Sequence, residues 1–255
     1  MGYQFSALTC RLLAGLFLLT ASGCVTEVTG GLPGPAPMED RIQAQLDLAR
    51  GYIEQRDFKR AKAPLAKALD INPRHVETLV LNAVLLTAES EYDIAEEFYK
   101  QALSVAPNDS QALNNYGSFL YARGRYEDAL VPLSRLVKDT GYRARAQAFE
   151  NLGFAQLRVN DEQAAAQSFA RALELNYRQP RSSLELAYLA YERGDYRTAQ
   201  SQLISFRAYA RPNARSLCLG VKLGAELGDE DMRASNALAL KNLYPKQAET
   251  CQPKT

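Results

Sequence analysis

Few residues in this chain are able to do chemistry. The 255 residues include 4 cysteines, at 10, 24, 218 and 251, one histidine, His75, and no tryptophan. A thiol can act as a nucleophile, ligate a metal, take an acyl chain or join a disulfide. The spacing excludes most of these. No two cysteines stand close enough for a redox pair. His75 follows Pro73-Arg74 with no second histidine or cysteine near it, so metal binding is not expected and the ring reads as a solvated turn residue. Serines and carboxylates are scattered with no paired base. An enzyme is therefore not expected, and neither is a metal or a cofactor beyond a covalent lipid.

That lipid is predicted at Cys24. Residues 1–24 read MGYQFSALTCRLLAGLFLLTASGC. Arg11 precedes an apolar run, Leu12 to Thr20, which is too short for a bilayer span of about 20 residues. It has the length of a signal-peptide core followed by small residues. Ala21-Ser22-Gly23-Cys24 resembles a bacterial lipobox, with Ala21 where the motif prefers Leu. Small residues admit the processing peptidase, and the Cys24 thiol takes the acyl chains. The alternatives are a plain secretory signal that happens to contain a cysteine, or N-myristoylation at Gly2, which leaves the apolar run unexplained. The next residue is Val25, not Asp. By resemblance to bacterial lipoproteins this implies the outer membrane, at its periplasmic, oxidising face. Residues 25–40, VTEVTGGLPGPAPMED, carry no apolar periodicity and read as a flexible Gly/Pro tether within 24–41, reaching about 20 Å on average.

These features sit ahead of a body whose charge is balanced, with 30 basic against 29 acidic residues and a net charge of +1. Such a chain has no global field for nucleic acid, which is not expected as a partner. The body repeats every 34 residues, in blocks 42–75, 76–109, 110–143, 146–179, 180–213 and 214–247, with a slip at Ala144-Arg145 and a tail at 248–255. Small residues recur at position 8 (Ala49, Ala83, Gly117, Gly153, Ala187, then Val221) and at position 20 (Ala61, Ala95, Ala129, Ala165, Ala199, then Arg233). Helix propensity explains alanine but not its recurrence at one period. Gly124, Gly194 and Gly228 fall where a first helix must end, and Pro73, Pro107 and Pro245 where a second one must.

A 34-residue period with helix-turn-helix content resembles the tetratricopeptide repeat. The resemblance implies an all-α, right-handed superhelical solenoid of about six repeats, whose sixth, irregular block caps the stack. In that family positions 2, 5, 9, 12 and 13 face the concave wall. Carried over by register, the expected partner-binding groove holds Leu46, Arg50 and Ile53 in repeat one and Val80 and Val84 in repeat two. Asn114 and Tyr121 follow in repeat three, Phe154 and Leu157 in repeat four, and Leu184, Tyr188 and Tyr191 in repeat five. An apolar wall suits a partner helix or an extended segment, unless the solenoid or tether covers it. The polar clamp that other members use for a peptide carboxylate is not assembled: Leu46, Arg50 and Leu81 stand in its place. Once Cys10 leaves with the leader and Cys24 takes lipid, Cys218 and Cys251 remain. They lie on the first helix of block six and just past its second. They are either two inert thiols or a disulfide closing the C-terminal cap, worth on the order of 3 kcal/mol for a loop of this length.

Residues 212–245, PNARSLCLGVKLGAELGDEDMRASNALALKNLYP, are more specific. Ala214-Arg215-Ser216-Leu217, Leu219-Gly220, Gly228-Asp229, Ala234-Ser235 and Leu243-Tyr244-Pro245 resemble the last repeat of the type IV pilus pilotin family, as does the order of lipobox, tether and six repeats. The resemblance implies an outer-membrane lipoprotein that binds the pilus secretin and promotes its localisation and multimer assembly; the chain itself is expected to be a monomer. The competing expectation is a general periplasmic scaffold for cell-envelope complexes.

Overall fold

The computed structural model describes residues 36–251. The expected leader (1–23), the acylation site Cys24 and the tether as far as residue 35 lie outside them. The repeat-bearing unit begins at Met38. Among the described residues every regular element is a helix. Twelve of them pair into six hairpins: α1 (Met38–Glu54) with α2 (Phe58–Ile71), α3 (Val76–Ala88) with α4 (Tyr92–Val105), α5 (Ser110–Ala122) with α6 (Tyr126–Leu136), α7 (Arg145–Arg158) with α8 (Glu162–Leu175), α9 (Pro180–Glu192) with α10 (Tyr196–Tyr209), and α11 (Ala214–Leu227) with α12 (Glu230–Leu243). A short α13 (Pro245–Thr250) closes the chain.

The sequence explains the hairpins. Asp57, Asp109, Asp161, Asp195 and Asp229 each cap a helix by accepting from the backbone N–H three residues on, which contributes about 1 kcal/mol per cap. Asn213 and Ser216 form a full capping box at α11. The turn inside each hairpin places one residue in the left-handed region. In three repeats it is the expected glycine, Gly124, Gly194 or Gly228; in the other three it is Arg56, Ser90 or Asn160. The period thus dictates the conformation even where the side chain resists it.

The core falls into four clusters of small and large side chains along the stack. Within a hairpin the helices approach so closely that a Cβ on Gly153 would lie 2.7 Å from the Phe169 ring. In block six Val221 is only half-buried, and Gly220 and Gly224 supply the close approach instead; a Cβ on Gly224 would meet the Arg233 backbone at 2.6 Å. Each second helix then packs on the first helix of the next repeat, and first helices of successive repeats touch.

Three boundaries differ from expectation. Helix α1 starts at Met38, inside the stretch read as tether, because nothing after Pro37 breaks a helix and Glu39 and Asp40 favour its N-terminus. Pro245 does not merely stop α12 but opens α13, where its missing N–H costs nothing, so the tail is helical as far as Thr250. The slip at Ala144-Arg145 becomes a longer turn between α6 and α7. There Asp139 accepts from the Gly141 N–H at 2.8 Å and Arg145 Nε donates to the Val137 carbonyl at 2.8 Å.

Candidate functional site

The first helices α1, α3, α5, α7, α9 and α11 form the wall on which a partner was expected. They do not present all the expected residues. Leu46, Val80, Leu184 and Tyr191 are buried in the core, at 0 to 5% exposure. The first three occupy position 5 and pack into the core there, whereas Asn114 at the same position of repeat three stays half-exposed. Tyr191 packs with Leu184, Phe206 and Leu223, and burial pushes its phenol up to about 12. These four belong to the packing between repeats and not to an open groove. Ile53, Val84, Asn114, Tyr121, Phe154, Leu157 and Tyr188 remain half-exposed.

Of these, Tyr121 and Phe154 come together. With Ser118, Leu133, Asn151 and Arg181 they line a cavity of about 210 Å³ that spans repeats three to five. Tyr121 is held edge-on to Tyr126, with centroids 5.2 Å apart, and Arg158 lies over the Tyr126 ring at 4.2 Å. Phe154 stands edge-on to the buried Phe169 at 5.1 Å. The Arg181 guanidinium stacks on the Phe154 ring at 4.3 Å, an attraction that is stronger when partly desolvated.

Beneath Arg181 lies Glu150, whose residue exposure is 1%. Its Oε2 accepts from the Ser182 N–H at 3.2 Å and hydroxyl at 2.8 Å. Its Oε1 accepts from Gln147 Nε2 at 2.9 Å and lies 3.4 Å from Arg181. Gln147 also donates to Asn151, and Asn151 to Asn114 at 3.5 Å. A ladder of amides therefore runs along α5 and α7 beside the aromatic cavity. Amide groups next to apolar rings suit a peptide segment, whose backbone needs donors and acceptors while its side chains seek apolar cover.

The apolar pattern alone does not predict Ser118, Asn151, Arg181 or Glu150. Glu150 and Asn114 interrupt the leucine and valine of position 5, and Arg181 shares position 2 with Gln43, Glu77, Gln111, Gln147 and Arg215. The polar residues at inward positions are the available signal.

The remaining wall residues are tied locally. Arg50 pairs with Asp47 at 2.7 Å and with Glu77 of the next repeat. Tyr188 donates to the Arg215 carbonyl at 2.7 Å while the Arg215 side chain grips Glu185 at 2.6 and 3.0 Å; burial raises the Tyr188 pKa. His75 is no solvated turn residue. Its Nδ1 caps α3 by accepting from the Thr78 N–H at 3.3 Å, and its Nε2 lies 3.3 Å from Glu39. On the outer side, Tyr116 donates to Glu96 at 3.0 Å and Arg125 donates at 2.6 Å. Burial alone would raise the Glu96 pKa, but these bonds and one from Lys100 hold it below the usual carboxylate range. Cys218 and Cys251 are joined by a disulfide with Cα atoms 5.7 Å apart, which fastens the end of α13 to α11. Among the described residues no group of His, Cys, Asp or Glu could hold a metal, and no helix is long and apolar enough to cross a membrane.

Comparison with known proteins agrees with this architecture. The tetratricopeptide repeat family matches residues 86–151. The type IV pilus assembly protein PilF of Pseudomonas aeruginosa is 37% identical over 240 residues, covering 92% of this chain and 95% of that protein. The solved structure from the functional characterization of P. aeruginosa PilF superposes with a TM-score of 0.78 at 36% identity, covering 84% of this chain and 97% of the other. PilW, a widely conserved type IV pilus biogenesis factor, shares the fold, with a TM-score of 0.69 at 23% identity over 82% of this chain and 97% of its own.

Proposed function

Since the chain belongs to the family of the type IV pilus assembly protein PilF, an envelope-associated tetratricopeptide scaffold of the pilus system, we propose that it is a pilotin. In this reading Cys24 carries the acyl chains that hold the protein at the periplasmic face of the outer membrane, and the solenoid binds secretin subunits there and promotes their assembly into the multimer. The observation that carries it is the identity to PilF across nearly the whole of both chains.

The cavity of Tyr121, Phe154, Asn151 and Arg181 supports the binding step. It offers an apolar pocket of about 210 Å³ flanked by amides, which fits one bulky side chain of a secretin segment and the peptide groups beside it. Confinement to the membrane raises the effective concentration of both partners, so a weak contact suffices. The role asks for placement and not for bond-making, in keeping with a scaffold fold.

The experiment is the state of the secretin in cells lacking this protein, read by membrane fractionation and on a gel that preserves multimers. Monomeric or inner-membrane secretin with loss of pili is expected, and Cys24→Ala is expected to misplace the secretin in the same way. Normal outer-membrane multimers in the deletion strain would overturn the proposal and favour a general envelope scaffold.

A further inference from the structure

In a stack of helical hairpins all loops between repeats gather on one edge and all turns within repeats on the other. The loops of the last four repeats form a continuous strip. Thr140 and the run from Tyr142 to Gln147 line one depression together with Leu175, Asn176 and Gln179. The Tyr177 and Tyr209 rings meet edge-on at 5.7 Å. Tyr244 donates to the Pro212 carbonyl at 3.4 Å.

The strip is cationic. Lys138, Arg143, Arg178, Arg211, Lys241 and Lys246 are exposed, and the structure gives none of them a carboxylate partner among the described residues, although cations such as Lys59, Arg123, Arg193 and Arg197 elsewhere on the surface also have no carboxylate partner given. The strip's own acids are few. Asp139 is engaged by Ser110 and Gly141, Glu174 is paired with Arg171, and Glu249 lies on α13. The turns on the opposite edge of repeats four to six carry Asp161, Glu162, Asp195, Asp229, Glu230 and Asp231 against Arg158, Arg193, Arg197 and Arg233, so that their balance is acidic. The net charge of +1 hides this polarity.

Charge alone would fit any polyanion. Interleaved with the cations, however, are four exposed apolar side chains, Leu175, Tyr177, Tyr209 and Leu243, at 41 to 63% exposure. A phosphate-rich layer that grades into hydrocarbon satisfies both features: tyrosines settle at headgroup level, and lysines and arginines meet anionic lipid. We propose that this inter-repeat edge is a docking surface for an anionic phospholipid bilayer, which turns the acidic edge away from the membrane. The proposal does not depend on which protein occupies the concave wall.

The test is partition of the full chain carrying Cys24→Ala, so that no acyl chain contributes, onto phosphatidylcholine vesicles with and without phosphatidylglycerol. Each cation near such a surface is worth roughly fivefold in partition. Phosphatidylglycerol is therefore expected to tighten binding tenfold or more, and high salt to abolish the gain. The variant Arg143→Glu, Arg178→Glu, Arg211→Glu, Lys246→Glu should lose it. A control of equal charge change on the other edge, Lys59→Glu, Arg123→Glu, Arg193→Glu, Arg197→Glu, should keep it, with both variants checked for native helicity. Equal binding to the two vesicle types, equal loss in the two variants, or binding of soluble polyglutamate as tight as that of the vesicles would overturn the proposal.

Discussion

Glu150 joins repeats four and five, and its replacement has a calculable cost. The carboxylate is closed to water and satisfies both the N–H and the hydroxyl of Ser182, at 3.2 and 2.8 Å. In Glu150→Ala those two buried donors lose their acceptor, at about 1–3 kcal/mol each. Gln147 is half-exposed and Arg181 exposed, so both can turn to water and add little. The expected loss is therefore about 3 kcal/mol, counting the lower half of the range for each donor. Glu150→Gln keeps the volume and one acceptor and should lose about 1 kcal/mol. Urea unfolding followed by far-ultraviolet circular dichroism measures both. Pairing Glu150→Met with Ser182→Ala removes the hydroxyl along with its acceptor and should cost less than the sum of the single changes, since a buried polar set exchanged for apolar groups of similar shape is tolerated. Glu150→Ala within about 0.5 kcal/mol of wild type, the scatter of ordinary surface substitutions, would refute the reasoning. So would strict additivity in the double variant.

Other consequences are as concrete. Replacing Cys218 and Cys251 by serine opens a loop of sequence separation 33 and should cost about 3–4 kcal/mol, with hydrogen exchange accelerating in α11 to α13 before the other helices. Ser90 adopts φ 66° and Gly124 φ 76° at the same repeat position, so Ser90→Gly should be neutral to stabilising, while Gly124→Ala should destabilise by about 1 kcal/mol in thermal melts. The lowered pKa of Glu96 means that its bonds stabilise the fold above the unfolded-state pKa and are lost as pH falls through the folded one. The stability gap between wild type and Glu96→Gln should thus be present at neutral pH and close below about pH 4. Phe154→Ala removes the aromatic wall of the cavity and, on the proposed pilotin reading, should weaken capture of a secretin segment roughly tenfold in a titration, with the fold intact by circular dichroism.

The repeats were legible because a strict period leaves residues of one size at one place: Ala49, Ala83, Gly117, Gly153 and Ala187 need no structure to align. The concave wall was less legible. Register says which side of a helix faces inward, but not how far the next repeat slides over it, so Leu46, Val80 and Leu184 read as groove and lie in the core. The cavity was half legible, through Tyr121 and Phe154, because hydrophobicity marks its rings but not the polar rim of Asn151 and Arg181. Left-handed turns at Arg56 and Ser90 carry no compositional signal, while Asn160 is of a type that tolerates that conformation. Pro64 and Pro132 would argue for broken helices, yet α2 and α6 run through them with both rings buried, since packing between repeats outweighs one missing backbone bond.

The disulfide also gives the stack a direction. In a solenoid each unit is held only by its neighbours, so unravelling starts at whichever end is loosest. At the C-terminal end α11 and α13 are riveted covalently, whereas α1 is kept in place by non-covalent contact with α2 and α3. Fraying therefore proceeds from the end nearest Cys24. A pull transmitted through a membrane anchor would peel the repeats in chain order and stop at the last hairpin, which cannot unzip until its sulfur bond is reduced.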